Sequence, residues 1–147
     1  MSINGTTLNA CDSLSSISVD EKNPSYKSVD GMLLTKDGKT LVQGVIGDIT
    51  IPGSVESIGQ SAFYGLRSLV SVTIPNSVTS IGVDAFFQCT GLTSVTIPSS
   101  VTRISWCAFS GCNGLTDVTF VGKTIEEVQS MPQYPWGLRK EVIHAGL

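Results

Sequence analysis

A period of 23 residues constrains this chain more than any other feature of its sequence. The pairs Ile51-Pro52, Ile74-Pro75 and Ile97-Pro98 are separated by this interval, and two further patterns repeat with it. They are Ala-Phe pairs and single leucines: Ala62-Phe63, Ala85-Phe86, Ala108-Phe109, Leu69, Leu92 and Leu115. A fixed period of this size marks one structural unit stacked on copies of itself. The sequence therefore predicts a solenoid, an architecture that presents extended surfaces.

The composition indicates an ordered chain of low charge. Its 147 residues are enough for one domain. Charged residues make up 14% of the chain, compared with about 25% in an average protein. The nine Lys and Arg residues form no run that would displace counterions from a nucleic acid. We therefore expect no direct contact with nucleic acid.

The sequence shows neither a targeting segment nor a membrane span. Met1 is followed by polar residues, without the basic start and apolar stretch of a signal peptide. No apolar stretch is long enough to cross a bilayer. As given, the sequence predicts a cytoplasmic protein without membrane contact. The alternative is a cell-surface location, if this sequence is a piece of an exported protein.

Each unit contains a strand and a turn. In the copy Leu92–Ile97, apolar side chains alternate with Ser and Thr, the period of two typical of a half-buried strand. Pro98 ends this strand because it lacks an N–H donor. A second extended piece is expected at Val101–Ile104, and Asp84–Cys89 is expected to form a helical or 3₁₀ turn on the opposite side. Gly91 suits the tight return to the next strand.

The shared pattern of the units is I-P-x-S-V-x-x-I-x-x-x-A-F-x-x-C/L-x-x-L-x-x-V-T. The unit IPNSVTSIGVDAFFQCTGLTSVT and its two neighbours resemble the BspA-type leucine-rich repeats of bacterial surface proteins. The close match covers half of the chain, and looser matches extend it to nearly all. The resemblance implies a right-handed leucine-rich-repeat solenoid with parallel strands on one face and turns or 3₁₀ pieces on the other. We expect about five coils, one with a β-hairpin insertion, and a C-terminal helical cap.

We predict one leucine-rich-repeat domain over residues 1–147. Its predicted parts are a degenerate repeat at 1–19, a hairpin-containing repeat at 20–48, regular repeats at 49–120 and a C-terminal cap at 121–147. In the hairpin-containing repeat, Lys36–Lys39 holds an Asp-Gly pair that fits a hairpin turn.

The predicted cap begins with a helix signal. Thr124 and Glu127 have the spacing of a capping box, which predicts a short helix to about Met131, ended by Pro132. The strand-like segment Glu141–His144 then closes the stack, as the end of a solenoid requires.

The four cysteines are interpreted as reduced side chains that pack in the core. Cys89 and Cys112 occupy the slot that Leu66 fills in the preceding unit, which indicates a buried apolar position. Cys11 and Cys107 are the other two. Stacked coils bring side chains within disulfide reach, but their parallel directions fit the bond poorly.

No set of residues predicts catalysis, a metal or a cofactor. Gly122-Lys123-Thr124 matches the end of a phosphate-binding loop, but the first glycine of that motif would fall at position 117, which is Asp117. His144 is the only histidine, lies near the chain end, and has no C-x-x-C pair to join. We therefore expect a protein that is not an enzyme, with no cofactor and no small-molecule substrate.

Two groups of outward positions are candidates for partner binding. Polar residues of the strand face form the first group: Ser71, Thr73, Ser94, Thr96, Asp117 and Thr119. Large or cationic residues at positions that vary between units form the second: Tyr64, Arg67, Phe87, Arg103 and Trp106. Aromatic and Arg side chains dominate interface hot spots. The alternative is that the aromatic residues only cover gaps between coils.

These observations predict a non-catalytic protein-binding module with a surface built from repeats. The family resemblance implies adhesion and a protein partner, whose identity the sequence does not give. The alternative is a small intracellular inhibitor or effector, including a phage-encoded one, that blocks a larger protein by occupying its surface.

Overall fold

The chain forms a β-solenoid of about four turns in the computed structural model, which describes residues 14–146. The predicted solenoid is confirmed, although the expected number of coils was about five. That expectation included a degenerate N-terminal repeat, of which Ile3, Leu8 and Cys11 lie outside the described residues. Leu14 and Ile17 of the same predicted repeat are buried in the core.

Short strands make up most of the regular structure. In chain order the described strands are β1 (Tyr26–Val29), β2 (Met32–Thr35), β3 (Thr40–Gln43), β4 (Gly47–Thr50), β5 (Ser57–Ile58), β6 (Leu69–Thr73), β7 (Ser80–Ile81), β8 (Ser94–Ile97), β9 (Arg103–Ile104), β10 (Asp117–Val121) and β11 (Ile143–Gly146). One short helix, α1 (Ile125–Gln129), and one 3₁₀ turn (Lys140–Val142) lie near the C-terminal end.

Parallel strands occupy two columns of the solenoid. One column belongs to a six-stranded sheet with the order β1-β2-β3-β5-β7-β9, in which β3, β5, β7 and β9 are parallel. The other column is divided between the pair β4-β6 and the sheet β11-β10-β8. The predicted strand at Leu92–Ile97 is confirmed as β8, in which apolar residues are buried and polar residues exposed. The second extended piece is confirmed as the shorter β9.

A third column consists of turns, and no helix forms there. The N–H groups of Ala85, Phe87 and Cys89 donate to carbonyls three residues earlier. The alternate N–H groups donate to the next coil, as Phe86 does to the Ala108 carbonyl at 2.7 Å. Because every second N–H group donates to the next coil and not within its own turn, a continuous series of helical hydrogen bonds cannot form. The expected turn at Asp84–Cys89 is therefore a series of separate turns.

Identical side chains stack along the axis of the solenoid. The rings of Phe63 and Phe86 are 5.0 Å apart, and those of Phe86 and Phe109 are 5.2 Å apart, with nearly parallel planes. All three rings are buried. They belong to a single apolar core that extends from Leu14 to Ile143. This stacking removes apolar surface from water at every coil boundary.

The glycine at the strand return is required by close packing. A Cβ atom on Gly91 would lie 2.5 Å from the carbonyl oxygen of Arg67 in the preceding coil. The equivalent atom on Gly114 would lie 2.6 Å from the Thr90 carbonyl oxygen. A residue with a Cβ atom at either position would therefore force the backbone of one coil away from the next.

The predicted hairpin is confirmed. Strands β2 and β3 pair antiparallel, and their turn holds Asp37, whose carboxylate accepts hydrogen bonds from the Lys39 N–H at 3.0 Å and the Thr35 hydroxyl at 2.8 Å. Both hydrogen bonds stabilise the charged carboxylate, and the bond from the Lys39 N–H has the larger effect. They hold the pKa of Asp37 below its usual value. Strand β1, which the sequence did not indicate, pairs antiparallel with β2.

The cap is only partly helical. Thr124 caps α1, and the capping box with Glu127 is confirmed by two reciprocal hydrogen bonds of 3.2 Å. The helix ends at Gln129, before the predicted Met131. Much of the closure comes from β11, which pairs parallel with β10 and begins two residues later than the predicted strand.

The cysteine prediction is correct for two described residues and wrong for one. Cys89 and Cys112 are buried in the slot of Leu66, and their thiols donate to carbonyls of the preceding coil. The contact with the Cys112 thiol and then burial raise the pKa of Cys89. Cys107 is free but exposed, in a turn position with positive φ that the polar residues Ser61 and Asp84 fill in the other coils. Cys11 lies outside the described residues.

Replacing Phe86 with Ala should lower the free energy of unfolding by about 3–5 kcal/mol, because it leaves a cavity between Phe63 and Phe109. Urea denaturation measures this difference. Thr96→Ala, at an exposed strand position, is the control and should change stability by no more than about 0.5 kcal/mol. An unchanged midpoint for the Phe86 variant would contradict its burial.

Thiol labelling should separate the three described cysteines. In a Cys11→Ser background, we expect a disulfide reagent to label Cys107 rapidly in the native protein. Cys89 and Cys112 should react only after unfolding, because both thiols are buried. Cys107→Ser in the same background is the control and should abolish the rapid phase. Rapid labelling of two thiols in the native protein would show that the core column is open.

Candidate recognition surfaces

The polar strand face carries the first group of predicted binding residues. Ser94 lies beside Asp117 in the register of β8 and β10, and Thr96 lies beside Thr119. In the register of β4 and β6, Ser71 lies beside Asp48 and Thr73 beside Thr50. These residues form two adjacent columns along the solenoid.

The sequence analysis missed Asp48 and Thr50 as members of these columns. Each lies 23 residues before its counterpart in β6, Ser71 or Thr73, so the period itself could have identified them. The unit around β4 was hidden because the hairpin-containing repeat before it departs from the common pattern.

The strand face is not a continuous sheet. Strands β6 and β8 belong to different sheets, so the ladder is interrupted between the second and third strands of this face. A cleft of about 260 Å³ lies there, lined by Ser71, Val72, Thr73, Ile74, Ser94 and Thr96. Beside it, Val70 is the extra residue of a bulge against β4, and 54% of its surface is exposed. The gap divides the predicted polar surface into two halves.

Side chains on this face bind one another. The Ser71 hydroxyl donates to the Asp48 carboxylate at 2.8 Å, and the Thr119 hydroxyl donates to Asp117 at 3.0 Å. His144 Nε2 lies 3.7 Å from the same Asp117 carboxylate, with both side chains half exposed. Such an exposed pair contributes little to stability. His144 lies beside Thr119 in the register of β10 and β11 and extends the Thr column by one position.

The second group of predicted residues lies away from the strand face and is divided. Tyr64 and Phe87 stack with their ring centroids 4.9 Å apart on the turn column, and both are half-buried. Their burial agrees with the alternative that these rings cover the boundary between coils. Arg67 is exposed at the end of a turn and does not line the cleft between β6 and β8.

Arg103 and Trp106 lie together. They line a cleft of about 230 Å³ with Val83 and Ser105 from the coils and Pro132 and Gln133 from the cap. We call this the Trp106 cleft. Trp106 is 63% exposed, whereas Trp136 of the cap is 1% exposed and donates its Nε1–H to the Pro132 carbonyl. The cleft thus lies where the last coil meets the cap.

The described residues offer no arrangement for metal chemistry. Within residues 14–146, no group of three or more His, Cys, Asp or Glu side chains could hold a metal ion. The helices of the same part of the chain are too short to cross a bilayer. The geometry instead provides two exposed surfaces of different chemistry, one polar and one aromatic with a cation.

Comparison with known families agrees with this geometry. The model of the BspA-type leucine-rich repeat region matches residues 43–134 in six copies. Comparison with curated proteins gave no significant match.

Solved structures show the same fold. A leucine-rich repeat protein from Eubacterium ventriosum is 27% identical with a TM-score of 0.72, and the match covers 78% of this chain and 32% of that one. A leucine-rich cell surface protein from Faecalibacterium prausnitzii is 26% identical with a TM-score of 0.59, over 94% of this chain and 43% of the other. The pneumococcal vaccine antigen PcpA, 16% identical with a TM-score of 0.59 over 90% of this chain and 37% of PcpA, shares the fold. This chain therefore spans less than half the length of these proteins.

Proposed function

Because the chain belongs to the BspA-type leucine-rich repeat family, we propose that it is a non-catalytic protein-binding module of the adhesion type. Its partner is a protein that contacts side chains on the outside of the coils. The family is a scaffold for binding, so the scaffold alone does not specify the partner.

One observation carries this proposal: each coil separates constant buried positions from variable outward ones. Phe63, Phe86 and Phe109 keep the same buried place in successive coils. The outward slot that ends in Trp106 instead changes from Gln60 to Val83 to Trp106. Packing between coils does not require a large exposed aromatic side chain at that position. Recognition of a partner does, since such side chains supply much of the binding energy of interfaces.

The strand face supports the same function in another way. Its outward positions are mostly hydroxyl side chains, which can both donate and accept hydrogen bonds. Interfaces of non-obligate complexes combine a small apolar centre with a polar rim of this kind. The cell surface is the proposed location, supported by the likeness to a leucine-rich cell surface protein.

Binding to a panel of purified extracellular-matrix and cell-surface proteins tests the proposal. We expect saturable binding to at least one of them by biolayer interferometry. Either Trp106→Ala with Tyr64→Ala, or Thr96→Arg on the strand face, should weaken binding at least about tenfold, a loss of about 1.4 kcal/mol.

Gln129→Ala is the matched control, since Gln129 is exposed at the end of α1 and lines neither cleft. It should leave the affinity unchanged. Circular dichroism and thermal unfolding check that every variant remains folded. The absence of binding to any protein, or equal loss of affinity in all variants, would contradict the proposed function.

A further inference from the structure

We propose that the Trp106 cleft is the docking site for an extended acidic peptide segment of the protein partner. In this segment, an apolar or aromatic side chain packs on Trp106, and a neighbouring Asp or Glu pairs with Arg103. The inference rests on the proposed function and assigns it a surface and a ligand chemistry.

The first argument is the exposure of Trp106. With 63% of its surface open to solvent, it is the most exposed large hydrophobic residue among residues 14–146. In the preceding coil the same slot holds Val83, a half-buried residue that lines the same cleft. Val83 therefore extends the apolar floor next to the indole ring. A partner side chain placed there would cover both at once.

The second argument is the charge of Arg103. The two preceding positions of its column are Ser57 and Ser80, whose hydroxyls bind each other at 3.0 Å. Arg103 replaces this neutral pattern with a cation at the end of the column. No carboxylate of residues 14–146 lies within ion-pair distance of Arg103. An exposed guanidinium matches a carboxylate with two parallel N–H donors.

The net charge of the chain narrows the choice of partner. The protein carries a net charge of −3 at neutral pH, which disfavours a strongly acidic partner. One unpaired Arg beside an indole ring instead favours a single carboxylate next to an apolar residue. The charge complementarity is therefore limited to the surroundings of Arg103. It fits a short peptide motif with one carboxylate better than a long acidic tail.

The third argument is the size and position of the cleft. Its volume of about 230 Å³ is below the roughly 300–1,000 Å³ of typical small-molecule sites. It fits one or two side chains of a larger ligand. Pro132 and Gln133 of the cap line the cleft together with residues of two coils. A peptide that crosses from the coils to the cap would contact both, which suits an extended peptide backbone.

A neutral oligosaccharide is the competing occupant, since sugars also stack on exposed indole rings. Such a ligand would depend on Trp106 but would gain little from the charge of Arg103. Charge reversal at Arg103 therefore distinguishes the two kinds of ligand.

Selection from a random heptapeptide library displayed on phage tests the inference. With the unmodified protein as bait, we expect enrichment of sequences with Asp or Glu next to Phe, Trp, Leu or Pro. With Arg103→Glu as bait, the selected charge should change to Lys or Arg. With Trp106→Ala as bait, the apolar preference should disappear. Lys22→Glu is the control, a charge reversal at an exposed cation outside the cleft and outside both groups of candidate binding residues, and should select the same acidic peptides as the unmodified protein.

Fluorescence polarisation of one selected, labelled peptide then measures affinity. We expect Kd to rise at least about tenfold for Trp106→Ala and for Arg103→Glu, and to remain unchanged for Lys22→Glu. Added salt should weaken the binding of the unmodified protein.

Three results would overturn the inference. They are the absence of enrichment, enriched peptides whose binding is insensitive to both cleft variants, and binding of a neutral oligosaccharide panel that survives Arg103→Glu. If the protein panel still shows a partner that Thr96→Arg releases, the proposed function stands and only this surface is wrong. If no protein binds at all, the proposed function fails as well.

Discussion

Stacking of like side chains between successive coils is the interaction on which the rest of this structure depends. Phe63, Phe86 and Phe109 pack ring on ring at 5.0 and 5.2 Å. Each ring covers the apolar surface of the next, so no coil has a separate core. The 23-residue period keeps these rings aligned from coil to coil.

The backbone follows the same constraint. In the turn column, alternate N–H groups bond within the coil and to the next coil, as Ala85 and Phe86 do. Gly91 and Gly114 allow the chain to approach the preceding coil closely enough for this pairing. In this column the polar groups of the backbone are thus satisfied across coil boundaries, and the C-terminal end of the stack requires closure. Strand β11 and Trp136 supply much of that closure.

Recognition is confined to what this scaffold leaves free. The residue type at inward positions is restricted, because the neighbouring coil fills the space around these side chains. Outward positions face solvent and can differ from coil to coil. The polar strand face and the Trp106 cleft arise in this way from different columns of the same unit. The role of their residues in binding stays a prediction, since the family fold is shared by proteins with different partners.

The sequence by itself determined the solenoid, the alternation within β8, the hairpin and the capping box of Thr124, because each depends on local spacing or on the period. It also placed Cys89 and Cys112 in the core, since Leu66 fills the same slot. The polar residues Ser61 and Asp84 in the slot of Cys107 could have indicated that this cysteine lies outside the core, where the structure exposes it. The sequence could not show the gap between β6 and β8 or the meeting of Trp106 with Pro132. Those features were decided by the tertiary structure, because they depend on how one coil lies against the next and against a cap that does not share the period.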